Sequence, residues 1–126
     1  MRGQDNHGIE NLTYKVETVR DYDRIREEFT FYNNGNCVGT AIVVQPVVEN
    51  KTYRIIDYFE IEQKYRRKGF GKAAVEKLRE YERKQGCKKL VLESDRCVVR
   101  FWSKCGFEQC CDDNFGSWGI WMYRDI

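Results

Sequence analysis

The stretch from Gln63 to Leu78, QKYRRKGFGKAAVEKL, joins a basic cluster to two closely spaced glycines and then to a helical pattern. The first turn of a helix has backbone N–H groups without intrahelical acceptors, and its dipole favours negative charge. Gly69 and Gly71 remove side chains that would keep a ligand away from the backbone. First turns usually carry acidic residues, whereas this one is basic and has none before Glu76. The pattern favours a phosphate site, with a solvated basic loop as the alternative.

Two common phosphate-binding motifs do not fit this loop. The glycine spacing matches neither G-x-G-x-x-G nor G-x-x-x-x-G-K-[ST], which needs a wider glycine gap. The sequence therefore supports neither a dinucleotide-binding fold nor a nucleotide triphosphatase.

The first half of the chain is predicted to consist mainly of strands. Residues 12–16 alternate between apolar and polar, the period of a half-buried strand. Asp21–Glu28 has too few apolar positions for more than a short helix. Asn33–Asn36 contains Asn-Gly, a hairpin signal because both residues accept positive φ. Further strands are predicted at Phe29–Tyr32, Cys37–Val44 (ended by Pro46) and Thr52–Glu62.

The basic loop leads into the best-defined helix of the chain. Ala74, Val75, Leu78 and Tyr81 fall on one face, and Gly86 ends the helix. The remaining predicted elements are a strand at Lys89–Glu93, a helix at Cys97–Lys104, and strands at Phe107–Cys111 and Ser117–Arg124. A helix between two strands gives a βαβ crossover. The fold class is α/β (α+β), a mixed and mostly antiparallel sheet with helices packed on its faces.

Composition limits the classes of protein to consider. The 126 residues fit a single domain over 1–126, with 1–10 as a flexible tail. The net charge of +2 argues against a general nucleic-acid binder. No apolar run is long enough for a transmembrane span, and the start lacks the apolar segment of a signal peptide. We therefore expect a cytoplasmic protein without membrane association.

The six cysteines do not form a metal-binding pattern. No Cys-x-x-Cys pair is present, and His7 is the only histidine. Without a signal peptide, reduced thiols are expected rather than disulfides. Cys110 and Cys111 are interpreted as half-buried strand thiols rather than a redox pair. We expect no metal cofactor.

Two motifs together resemble those of the GNAT acyl-CoA N-acyltransferases. Residues 66–71, RRKGFG, match that family's [Q/R]-x-x-G-x-[G/A] signature, with Gln63 where a proline is common. Residues 101–107, FWSKCGF, resemble its F-Y-x-K-x-G-F motif, and WGIWMYRDI is similar to its last strand. The resemblance covers Tyr53 to Ile126. The family's two early helices are shortened to Asp21–Glu28 or lost.

The resemblance implies a coenzyme A site. In the family the fourth and fifth strands splay apart, and the pantetheine arm bonds to the backbone at the end of strand four. Here that end is Phe59 to Glu62, with Ile61 at the usual valine position. The pyrophosphate would rest on the amides of Arg67 to Lys72. The implied cofactor residues are Phe59, Ile61, Glu62, Arg66, Arg67, Lys68, Gly69, Phe70, Gly71, Lys72, Asp95, Phe101 and Lys104.

The resemblance also implies direct attack of an amine on an acyl thioester, assisted by a carboxylate near strand four. Asp57 is ranked first as the base and Glu60 second. Simple alternation puts Asp57 on the face of Phe59 and Ile61, and a bulge would exchange the faces. Each carboxylate is otherwise a solvated strand residue.

Two motif positions depart from the family. Trp102 replaces the tyrosine that commonly protonates the leaving thiolate, and an indole N–H is not an acid at neutral pH. Water, Ser103 or Tyr123 are alternatives, or Trp102 packs against the acyl arm. Asp95 replaces an asparagine and is expected to cap the following helix.

The resemblance thus implies an acetyl-CoA-dependent N-acetyltransferase acting on a protein lysine, an N-terminus or a small amine. The alternative is a catalytically weak or inactive CoA-binding or protein-interaction module on the same fold. A nucleic-acid-binding domain using residues 66–72 is the third, least supported reading. A homodimer is expected to form through the hairpin near the C-terminus.

Overall fold

The computed structural model describes residues 11–46, 52–110 and 119–126. In these residues seven strands form a single sheet in the order β1-β2-β3-β4-β5-β7-β6. The strands are β1 Leu12–Arg20, β2 Arg24–Asn33, β3 Asn36–Pro46, β4 Tyr53–Ile61, β5 Lys89–Ser94, β6 Glu108–Gln109 and β7 Ile120–Asp125. The helices are α1 Phe70–Lys84 and α2 Val99–Lys104, with 3-10 turns at Gln63–Tyr65 and Arg96–Val98. Among these strand pairs β4–β5 is parallel and the others are antiparallel, which confirms the mixed sheet and the βαβ crossover.

The first four strands form an antiparallel meander. Asn34 and Gly35 join β2 to β3 with φ values of 54° and 83°, so the hairpin predicted from Asn-Gly is confirmed. β3 ends at Pro46, as predicted. Local turn chemistry was enough to locate this hairpin.

The short helix predicted at Asp21–Glu28 is wrong. Arg24–Glu28 belong to β2, which pairs with both β1 and β3. Glu27 is buried on this strand, where its carboxylate accepts a hydrogen bond from Arg54 at 3.2 Å. Its polarity hid the strand pattern, because a buried ion pair puts a charged residue at an inward-facing position.

Helix α1 covers one face of the sheet. Its buried residues Ala74, Val75 and Leu78 meet the aromatic side chains of β1 and β2. The Tyr81 ring lies edge-on to Phe29, with centroids 5.4 Å apart. Gly86, with φ of 93°, follows the end of the helix as predicted. Burial of this apolar face holds α1, and therefore the loop before it, against the sheet.

Helix α2 is shorter than the predicted Cys97–Lys104, because residues 96–98 form a 3-10 turn. Gly106, with φ of 90°, follows it. Arg124 of β7 donates one hydrogen bond to Glu76 of α1 at 2.6 Å and another to the carbonyl of Cys105 at 2.8 Å. These contacts fix α2 relative to α1 and the sheet.

Several predictions lie outside the described residues, including the tail 1–10, Cys111 and the tip of the C-terminal hairpin. None of the helices in the described ranges is long and apolar enough to cross a membrane.

Candidate active site

Strands β4 and β5 separate after a short parallel ladder. Tyr53 pairs with Lys89, and the last pair is Ile55 with Val91. Beyond it, β4 continues to Ile61 while still bonded to β3. In the described part of the chain, no strand pairs with the far side of this part of β4, which is an open edge as expected for splayed strands.

The alternation of the β4 backbone shows which groups reach this open edge. The Glu62 N–H donates to Val38 O of β3 at 2.8 Å, so the Glu62 amide faces β3. Because successive residues of a strand direct their backbone groups to opposite sides, the N–H and C=O groups of Phe59 and Ile61 face the open edge. Phe59 therefore presents both of its backbone groups to the open edge, whereas Ile61 offers only its N–H, because its C=O accepts a hydrogen bond from Arg66 Nε. Glu62 faces β3.

A β-bulge lies at Asp57. Ile42 is paired with Tyr58 and Val43 with Ile56, which leaves Asp57 as the extra residue of β4. Ile56 and Ile61 are both buried, and Phe59 packs against the same core. Simple alternation through Asp57 is therefore wrong: the inner face continues from Ile56 to Phe59 across the bulge. Bulges are common next to active sites because they redirect a side chain.

A cleft of about 160 Å³ lies between the splayed strands. It contains four residues predicted for the site and six that were not. The predicted residues are Asp57, Phe59, Asp95 and Trp102; the others are Ile56, Tyr58, Leu92, Glu93, Ser94 and Val98. The sequence signal for the missed β5 residues is their position at the carboxyl end of a strand that follows a crossover helix, where ligands bind in open α/β sheets.

Asp95 lies in the cleft but is not a helix cap. It precedes the 3-10 turn, yet its side chain makes no capping hydrogen bond and is exposed. Its backbone carbonyl accepts bonds from Val98 N–H at 3.1 Å and Ser94 Oγ at 2.8 Å. The predicted capping role is therefore wrong, because the backbone, not the carboxylate, closes this turn.

Trp102 is buried in an aromatic cluster at the inner end of the cleft. Its ring lies edge-on to Phe59 and to Phe107, with both centroid distances at 5.3 Å. Phe101 is half-buried beside it at 5.0 Å. Trp102 thus packs in the core and also lines the cleft, and its packing against an acyl arm stays a prediction. Of the alternative acids, Ser103 is exposed, and neither it nor Tyr123 lines the cleft.

The loop before α1 presents unsatisfied amides. Gly69 has φ of 88° and precedes the helix without a side-chain cap, and the first turn has no acidic residue. Arg67 has φ of 64°, which is uncommon for a residue with a side chain. Ala73 N–H donates to Gly69 O at 3.1 Å and is the first amide with a helical acceptor, so the N–H groups of residues 70–72 have none. This arrangement suits an anion.

The cations of the loop fall into two groups. Arg66 turns back, and its Nε donates to Ile61 O at 2.6 Å while Nη2 lies 3.5 Å from Glu60. The side chains of Arg67, Lys68 and Lys72 are exposed. Arg66 thus fixes the end of β4, and the other three surround the helix start with positive charge.

Phe101 joins the loop to the cleft, because it contacts both the helix start and Trp102. A Cβ on Gly71 would lie 2.9 Å from Phe101 Cε1, so glycine permits the helix start to approach α2. Phe70 is buried and lies edge-on to Tyr65 at 5.7 Å. Lys104, by contrast, is exposed at the end of α2 and does not line the cleft.

Glu60 is engaged on the exposed side of β4. Tyr58 Oη donates to its carboxylate at 2.5 Å, and this hydrogen bond raises the pKa of the Tyr58 phenol. The phenol therefore stays protonated at neutral pH. Glu60 is outside the residues that line the cleft, unlike Asp57.

The described part of the chain contains no cluster of three or more residues able to hold a metal ion. Cys37, Cys87, Cys97, Cys105 and Cys110 are free thiols. Burial raises the pKa of the Cys105 thiol to about 11, so it is protonated at neutral pH and unsuited to act as a nucleophile.

Fold and site together define a class of α/β protein with a split sheet and a glycine-rich anion loop, and comparison with known proteins identifies its family. A model of the Acetyltransferase (GNAT) family matches residues 4–107. A search of curated protein sequences finds no match. The chain belongs to the GNAT acetyltransferase family, whose enzymes are N-acetyltransferases.

Solved structures share the fold at low sequence identity. Tetrahymena GCN5 is 15% identical with a TM-score of 0.69, covering 80% of this chain and 68% of that protein. A Bacillus subtilis acetyltransferase solved with CoA is 14% identical with a TM-score of 0.66, covering 90% and 99%. The PaiA N-acetyltransferase of Thermoplasma acidophilum, also solved with coenzyme A, is 15% identical with a TM-score of 0.65, covering 79% and 60%. The chain thus spans less than two thirds of the Thermoplasma protein.

Proposed function

We propose that this protein transfers an acetyl group from acetyl-CoA to a primary amine. The observation that carries the proposal is the continuity between the open edge of β4 and the uncapped start of α1. The N–H and C=O of Phe59 and the N–H of Ile61 would bond the pantetheine arm as an added strand would, while the Ile61 C=O is held by Arg66. The amides and cations of Arg67–Lys72 would hold the pyrophosphate.

The acceptor is proposed to be cationic in solution. Asp57, Glu93 and Asp95 are three acidic residues that line the cleft, and the Glu93 carboxylate also accepts a hydrogen bond from the Gly119 N–H at 2.8 Å. They would attract a protonated amine, and Asp57 would then remove the proton that makes it unreactive. A protein lysine, an N-terminus and a small amine all satisfy this requirement.

The reaction would proceed by direct attack on the thioester. The neutral amine adds to the carbonyl carbon, and the carbon–sulfur bond then breaks to release CoA thiolate. Trp102 would shape the wall beside the acyl group. The Tyr58 hydroxyl is not available for this step, because it donates to Glu60. The thiolate would instead take from water the equivalent of the proton that the attacking nitrogen loses.

The second candidate function is a CoA-binding module without acetyl transfer. It is favoured by the packing of Trp102 between Phe59 and Phe107, since this position supplies no acid. The anion loop and the open edge are equally compatible with both functions. The difference between them is turnover, not cofactor binding.

The test measures acetyl-CoA binding by calorimetry and CoA thiol release with peptide, polyamine and aminoglycoside acceptors. Gly69→Glu should abolish binding because it puts a carboxylate at the anion loop. Gly86→Glu is the matched control: Gly86 also has positive φ, at the other end of α1, where nothing lies within 4 Å of an added Cβ. Normal binding by Gly69→Glu would overturn the loop assignment. Binding without acetylation of any acceptor would favour the second candidate function.

A further inference from the structure

Among the described strands, β1 is a long edge of the sheet. It contains nine residues, Leu12–Arg20, and comes first in the strand order, with β2 as its neighbour. Long edge strands invite pairing with another strand unless they are interrupted or covered. β1 has no proline, and its register with β2 is regular throughout.

The hydrogen bond at the β1–β2 turn identifies the backbone groups on the open edge. Asp21 N–H donates to Arg24 O at 2.9 Å, in line with the register of the two strands. In an antiparallel pair, bonded positions recur every second residue. The odd-numbered residues of β1 therefore bond to β2, and the even-numbered ones, from Leu12 to Arg20, direct N–H and C=O groups outward.

A second copy of β1 can use all of these outward groups in one register. Antiparallel pairing about a two-fold axis at Val16 puts Leu12 opposite Arg20 of the second copy, so the strands overlap along their whole length. Each even-numbered residue then faces another even-numbered residue, as a bonded ladder requires.

The charges on β1 select this register. Centring on Val16 puts Lys15 of each copy opposite Glu17 of the other, at a non-bonded position where facing side chains are closest. The neighbouring registers that also match outward groups are centred on Lys15 or on Glu17. Each of them puts like charges opposite one another. The full-length register is therefore also the one with charge complementarity.

The two faces of β1 agree with such pairing. Leu12, Tyr14 and Val16 belong to or pack against the core on the α1 side. Tyr14 and Val16 are half-buried, so a second copy would extend the apolar layer beside them. Lys15 and Glu17 are exposed on the other face and could form two symmetric ion pairs, although Lys15 Nζ already lies 5.7 Å from the Tyr32 ring centroid.

We propose that the chain forms a homodimer through antiparallel pairing of β1 with β1, which continues the sheet across the two-fold axis. The partner is a second copy of this chain, and the contact is distinct from the C-terminal hairpin considered above. It is independent of acetyl transfer, since β1 lies at the opposite side of β2 and β3 from the cleft.

The test measures the mass of the full-length protein by sedimentation from micromolar to submillimolar concentration. The wild-type chain should dimerise. Lys15→Glu and Glu17→Lys each put like charges opposite one another and should weaken the dimer about tenfold or more. The double variant Lys15→Glu/Glu17→Lys restores unlike pairs and should recover the dimer.

Circular dichroism checks that the single variants keep the fold, which is expected because both side chains are exposed. A wild-type monomer throughout the range would overturn the proposal. So would a dimer that both single variants leave unchanged, because its contact would then lie elsewhere. A double variant that dimerises no better than the single ones would likewise contradict the Val16-centred register.

Discussion

Asp57 owes its place in the cleft to a single extra residue. The bulge lets β4 keep its buried face from Ile56 to Phe59, while the Asp57 carboxylate remains at the splayed edge. Glu60 lies three residues further along β4 and is held by Tyr58 and Arg66. A base must reach the amine, so position favours Asp57 over the engaged Glu60.

Replacing Asp57 by Asn should therefore slow turnover about 10²-fold or more while acetyl-CoA binding is unchanged. Steady-state kinetics and calorimetry on the same variant separate the two effects. Glu60→Gln should lose less activity, and Glu80→Gln, an exposed change on α1, should lose none. If Glu60→Gln is the more damaging change, the ranking of the two carboxylates is reversed.

The residues of the site differ in how far the sequence predicts them. The glycine loop is a local pattern, so Gly69 and Gly71 were identified from spacing and charge. The bulge at Asp57 depends on how β4 pairs with β3, and no local signal marks it. Glu27 was misread because its partner Arg54 is 27 residues away. Partners far away in the sequence decide which polar residues are buried. The pattern of neighbouring residues does not show who those partners are.

Helix α2 is too short to be stable by itself and depends on its packing. It has six residues, and Trp102 is its buried anchor among Phe59, Phe101 and Phe107. The same side chain forms a wall of the cleft. The position of this element is therefore tied to the shape of the site.

Trp102→Ala should destabilise the protein by about 3–5 kcal/mol, the usual cost of removing a large buried aromatic side chain. Urea unfolding followed by circular dichroism measures it. Ser103→Ala, at the exposed neighbouring position of α2, should stay within about 0.5 kcal/mol of the parent. Equal stability of the two variants would show that Trp102 does not anchor the helix.

At the scale of elements, the sequence predicted the helices and strands that are marked by a local residue pattern. The β2–β3 hairpin, α1 and the parallel β4–β5 pair follow from turn chemistry, helical spacing and crossover topology. The N-terminal part of β2 was missed, since its alternation includes charged residues on both faces. The start of α2 was also misplaced, because a 3-10 turn and a helix share the same spacing over so few residues.

At the scale of the whole molecule, a buried charge cluster joins three elements. Arg54 of β4 contacts Glu27 of β2 at 3.2 Å and also Glu82 of α1. Glu82 is fully buried. Burial and the neighbouring Glu27 carboxylate raise the pKa of Glu82 to about 9, although Arg54 opposes the shift. The folded protein therefore holds a proton here at neutral pH that the unfolded chain releases.

This proton makes stability depend on pH. Between the ordinary glutamate pKa and about 9, the folded state binds the extra proton, so stability falls as pH rises, by at most about 1.4 kcal/mol per pH unit. Glu82→Gln removes the titration and should flatten the decline of Tm between pH 5 and 9. Thermal unfolding across this range checks the expectation, with the exposed Glu80→Gln as the control on the same helix. If Tm of Glu82→Gln falls with pH as steeply as that of the parent, Glu82 is not the source of the pH dependence.

The short ladder between β4 and β5 also has a consequence for folding. The β1–β4 meander is assembled from neighbours in sequence, whereas the Tyr53–Lys89 to Ile55–Val91 ladder must wait until the chain between them has formed α1. The contacts that define the cleft should then be among the last to form. A ligand bound across both strands would slow their separation and raise the apparent stability of the native state. Hydrogen exchange at Ile55 and Val91, with and without acetyl-CoA, would follow this final step directly.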